Sequence, residues 1–73
     1  MAEPVISLRE CAQGWRVFQG ENPLFWFPSY DQAMRTARLI ASVQADIHDA
    51  DTSIEMRLLG ERPVLVGTCT PGH

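Results

Sequence analysis

Residues 29–48, S-Y-D-Q-A-M-R-T-A-R-L-I-A-S-V-Q-A-D-I-H, limit the fold more than any other stretch of the chain. At about 100° per residue, Ala33, Ala37, Ile40, Ala41, Val43 and Ile47 fall within one apolar arc, and Gln32, Arg35, Arg38, Ser42 and Asp46 fill the opposite one. Three alanines on that stripe let a helix lie close to whatever it covers. Ser29 is a good N-cap, Gln32 three residues on completes a capping box, and Asp31 suits the positive end of the helix dipole. Short alternating segments on either side of this helix are its obvious partner, so the chain reads as a sheet with one helix laid across it.

Residues 5–10, V-I-S-L-R-E, form a first strand with Ile6 and Leu8 inward, and residues 11–14 form a turn. Residues 15–19, W-R-V-F-Q, make the second strand; a loop at 20–23 leads to a short third strand at 24–27, L-F-W-F, which Pro28 stops. A plain hairpin puts Val17 opposite Trp26 and Phe18 opposite Phe25. Trp15, Val17, Leu24 and Trp26 then lie beneath the helix, with Arg16, Phe18, Phe25 and Phe27 on the other face. Beyond the helix, 49–53 is a polar connection in which the helix ends before Asp49. Residues 54–58 alternate, with Ile54, Met56 and Leu58 inward and Glu55 and Arg57 outward. Gly60-Glu61 fits a two-residue turn led by glycine, and 63–67 returns as a strand whose Pro63 is tolerated only at a sheet edge. Residues 1–4 and 68–73 read as frayed ends. The expected class is α+β: an antiparallel sheet of about five short strands (β-β-β-α-β-β) with one helix across one face. The sequence leaves open whether the last hairpin joins the first strand or the third.

Seventy-three residues make a single small domain, near the size where one core yields only a few kcal/mol of net stability. The apolar share of 45% argues against disorder. A net charge of −3 argues against a general affinity for nucleic acid or anionic membrane. All six basic residues are arginine. No apolar run approaches the roughly 18 residues of a membrane span, and M-A-E-P-V lacks the basic and apolar regions of a secretory signal. Cys11 and Cys69, far apart and outside any C-x-x-C spacing, read as free thiols in a reducing cytoplasm; a disulfide between strand ends is the alternative.

Gly14-Trp15-Arg16-Val17 and Phe27-Pro28-Ser29, followed by Ala33, Ala37 and Ala41, resemble a short bacterial family of small domains of unknown function. Members have a Gly-Trp-x-Val strand, a Ser/Thr-capped helix striped with alanines, and a closing hairpin. The likeness spans residues 14–66, while the L-F-W-F run and the longer connection after the helix depart from it. It implies an architecture, with Trp15 and Val17 under the helix, and no catalytic residue.

No constellation for catalysis emerges. There is no G-x-S-x-G, no phosphate-cradling glycine loop and no H-E-x-x-H, and neither cysteine is placed to pair with His48 or His73 in fixed geometry. Asp46, His48, Asp49 and Asp51 cluster, yet an EF-hand loop starting at Asp49 fails because Ile54 and Gly60 stand where glycine and glutamate are required. That cluster reads as a solvated helix end. The chain is therefore expected to be a non-enzymatic interaction module without cofactor, metal or small-molecule substrate. It would self-associate as a homodimer, or bind a protein partner, through Arg16, Phe18, Phe25, Phe27, Val64 and Val66. The alternative is a single-stranded nucleic-acid binder that stacks bases on that face.

Overall fold

The computed structural model describes residues 5–72. Five strands, β1 (Val5–Cys11), β2 (Gly14–Gln19), β3 (Asn22–Phe27), β4 (Thr52–Arg57) and β5 (Val64–Cys69), and one helix, α1 (Tyr30–His48), follow one another in the expected order β-β-β-α-β-β. They form one sheet in the spatial order β3-β2-β1-β4-β5. Every neighbouring pair is antiparallel except β1 and β4, which run parallel. Two tight hairpins return β3 to the direction of β1. The helix then carries the chain back across the sheet, so β4 must start at the same end as β1 and pair with it in parallel. The last hairpin is placed beside the first strand and not the third, and the all-antiparallel expectation gives way at this one ladder.

Ser29, extended at φ −128°, caps α1 by accepting a hydrogen bond from the Gln32 amide at 3.3 Å. Asp49 ends it in the left-handed conformation at φ 51°, as the placing of the helix end before Asp49 anticipates. Ala33, Ala37, Ala41 and Ala45 are all fully buried, and the first three pack in one core with Ile6, Leu8, Val17 and Ile54. Each of those four larger side chains contributes about 1.5–3 kcal/mol by leaving water. At the helix N-terminus the Trp15 and Tyr30 rings meet edge-on, 5.0 Å between centroids. Two members of the expected apolar arc do not reach this core. Val43 and Ile47 are 48% and 66% exposed, and Ala45 occupies the buried row in their place. The buried line follows the alanine row, spaced by four, because only small side chains let the backbone approach the sheet. Bulkier residues beside that row are turned onto the helix flank.

The β2–β3 hairpin corrects the sequence reading. Its loop is only Gly20-Glu21, with Gly20 at φ 61°, and Gln19 pairs with Asn22. A bulge beside Val17 and Phe18 absorbs Leu24, so Val17 faces Phe25 and Arg16 faces Trp26. This is one residue away from the expected register, and a one-residue shift exchanges the two faces of a strand. Phe25 and Phe27 therefore lie on the helix side with Trp15 and Val17, while Trp26 turns to the helix-free side.

The closing hairpin also differs in its turn. The Glu61 amide donates to the Leu58 carbonyl at 2.9 Å, and Gly60 has φ 76°. The central residues are thus Leu59 and Gly60, with glycine second, as a type II turn demands. Pairing begins only at Met56–Val64, so Pro63 precedes β5, which is an edge strand. Ile54 and Met56 face the helix side as expected, whereas Leu58 lies beyond β4 and is 40% exposed. Part of the segment 68–73, expected to fray, makes contacts in the structure. Cys69 still pairs with Thr52, and the Gly72 amide donates to Asp46 Oδ1 at 2.7 Å. The expected fraying of residues 1–4 and of His73 lies outside the described residues.

Ala37→Leu should overpack the helix–sheet contact and cost about 1–3 kcal/mol, whereas Ser42→Leu on the exposed side should be nearly neutral. Thermal unfolding of the two variants checks this; equal losses would mean the buried stripe is not the tight contact.

Candidate functional site

The six residues expected to form one surface are divided by the register. Arg16 and Phe18 lie on the helix-free face. Phe25, Phe27 and Val64 lie on the helix side, Val64 opposite Met56 and 54% exposed. Val66 sits in a β5 bulge and packs with Phe27 against the core. Two chemically distinct surfaces result.

The first is on the helix side. α1 leaves the end of β3 and reaches the start of β4, so it crosses the sheet obliquely and leaves two corners of that face uncovered. The Cys69 thiol meets the Arg38 carbonyl at 3.7 Å and Gly72 meets Asp46, which fixes the Arg38/Asp46 flank on the β5 side. The opposite flank, carrying Ile40, Val43 and Ile47, consequently looks toward β3. There Phe25 is 52% exposed at the sheet edge, tilted against Phe27 with ring centroids 6.3 Å apart. Leu39 continues the helix row outward at 67% exposure. The second corner, by the closing hairpin, is a shallow depression lined by Met56, Leu58, Gly60, Glu61, Arg62 and Val64. Beside it Glu10 receives the Leu59 amide at 2.9 Å, tying β1 to the turn.

The second surface is the helix-free face. The ladder registers set Arg57 beside Arg9, Arg9 beside Arg16, and Arg16 beside Trp26, one residue from each of four adjacent strands. The Arg9 guanidinium lies over the Phe18 ring at 4.1 Å, and its Nη2 is 3.6 Å from Glu21. In the next row Ser7 donates to Glu55 at 3.1 Å. Trp26 owes its position to Gly14. A Cβ on that glycine would stand 2.8 Å from the Trp26 ring and would also strike the Phe27 carbonyl. Arg16, Pro23, Leu24, Phe25 and Trp26 line a shallow depression at this edge.

The acidic end of the helix is put to structural use. Asp46 binds Gly72, His48 meets Gln44 at 3.0 Å, and Asp49 is the C-cap. Among the described residues no three His, Cys, Asp or Glu side chains gather in a group that could hold a metal ion. No described helix is long and apolar enough to cross a membrane. Cys11, opposite Gly14, lies at the far end of the sheet from Cys69, opposite Thr52, and both are free. Two cysteines so placed exceed the Cα separation that a disulfide bridges. No protein-family model matches this chain, and neither does any curated protein or solved structure.

Gly14→Ala should destabilise the fold by about 1–3 kcal/mol and shift the fluorescence of Trp26, since the added methyl displaces the indole. An unchanged emission spectrum would contradict that packing. Both cysteines should be alkylated in the unfolded, unreduced protein, whose mass before any reductant equals that of the dithiol chain. A mass two hydrogens lighter would contradict the separation of the thiols.

Proposed function

We propose that this chain is a small non-enzymatic interaction module that self-associates through the helix flank and the uncovered β3 corner. The observation that carries the reading is the row Leu39, Val43, Ile47, spaced by four and exposed at 67%, 48% and 66%, together with the half-exposed Phe25 on the same side of the sheet. Contiguous apolar surface of this kind on a soluble domain usually marks a contact. A second copy is the simplest occupant. Rows spaced by four interdigitate when two helices pack, and a two-fold axis lets one patch serve as both halves of the interface. A domain of this size also gains stability by burying more apolar surface on association. The reading moves the expected contact from the helix-free face to the helix side, because the register takes Phe25 and Phe27 there. It is compatible with a cytoplasmic setting and with the resemblance to small bacterial domains, neither of which it requires.

Val43→Asp places a charge in the contact without entering the core. Sedimentation velocity at high micromolar concentration should give a dimer for the native chain and a folded monomer for the variant. A native chain that sediments as a monomer there would remove the support for this reading.

A further inference from the structure

The arginine row is expensive for the isolated molecule. Like charges directly opposite one another on a sheet are destabilising, and here three arginines stand side by side on β2, β1 and β4. Among the described residues Arg9 has one ion-pair partner, the highly exposed Glu21, while Arg16 and Arg57 have neither a hydrogen-bond nor an ion-pair partner. The net charge of −3 conceals this concentration. Glu10 is spent on the closing hairpin, Asp31, Asp46 and Asp49 belong to the helix and its cap, and Asp51 and Glu61 lie in connections. Among the described acidic residues only Glu55, engaged by Ser7, and the turn residue Glu21 oppose the row on its own face.

We infer that the helix-free face of the sheet binds single-stranded nucleic acid, with Arg57, Arg9 and Arg16 receiving phosphates and Trp26 stacking a base. Strands about 4.8 Å apart put the outer two arginines about 10 Å from each other, a groove-free track along which an extended backbone can run. Trp26 continues the row at its β3 end, 45% exposed, with one part of its ring held against Gly14. The Arg9 guanidinium spread over Phe18 adds a second flat cationic platform. An anion alone would have no use for the indole, and a duplex would present no free base to it. Unpaired bases on a charged strand satisfy both features. This face is separate from the helix flank, so the two readings stand or fall independently.

The test is fluorescence anisotropy of the full chain with labelled oligothymidylate and oligouridylate of about 12 nucleotides, measured between about 50 and 200 mM salt. Binding of either oligonucleotide should weaken with salt at a log–log slope near −2, as about three neutralised phosphates require. Arg57→Gln should flatten that slope by about one third, while its melting temperature holds or rises because a like-charge neighbour is gone. Arg35→Gln on the helix should leave the slope unchanged. Trp26→Ala should weaken binding roughly 5- to 100-fold, and Trp26→Phe should recover most of it, separating stacking from folding. The inference is overturned if the native chain binds neither oligonucleotide at low salt. It is equally overturned if Arg35→Gln acts as strongly as Arg57→Gln, if Trp26→Ala binds as well as the native chain, or if polyglutamate competes as effectively as unlabelled oligonucleotide.

Discussion

The contact on which the structure depends is the one between four alanines and the sheet. Ala33, Ala37, Ala41 and Ala45 have no side chain beyond Cβ; the first three settle α1 against Ile6, Leu8, Val17 and Ile54, all of them sealed from water, and Ala45 extends the buried row. A chain this short has few other large side chains fully buried, and these central aliphatics supply much of its hydrophobic stabilisation. The closeness has a second effect. A narrow, alanine-faced helix covers the middle of a five-stranded sheet and cannot cover its corners. The exposed Phe25 on one side and the depression by Met56 and Val64 on the other follow from that mismatch in width.

The helix also decides strand order, and strand order decides what the free face contains. Because α1 returns the chain to the start of the sheet, β4 enters parallel to β1 and brings Arg57 level with Arg9. The two faces then differ in chemistry. The helix side ends in apolar margins, while the free side carries cationic groups flanked by aromatic rings.

Much of this was legible in the residues themselves. The helix and its Ser29 cap, the five strands in their sequence order, and the inward sets Ile6/Leu8 and Ile54/Met56 follow from local periodicity and capping chemistry. The faces of β3 were not legible. They hang on whether Gly20-Glu21 alone makes the loop and on a bulge at Leu24, and neither leaves a mark in an apolar run such as L-F-W-F. Leu39, Val43 and Ile47 were hard to place for a related reason, since a helical wheel gives an arc and the depth of burial within it depends on the surface beneath.

The amino-acid sequence by itself determined which segments are helix and strand, where each begins and ends to within a few residues, and that one alanine-lined face must be covered. These are properties of neighbours along the chain, set by a period, a cap or a turn residue. The pairing of β1 with β4, the turning of Trp26 rather than Phe25 away from the helix, and the completion by Arg57 of a row begun by Arg9 and Arg16 arise only on folding. Those outcomes join residues far apart in the chain. They are fixed by the length of the helical crossover and by a single-residue register shift, whose consequences appear only when the strands lie side by side.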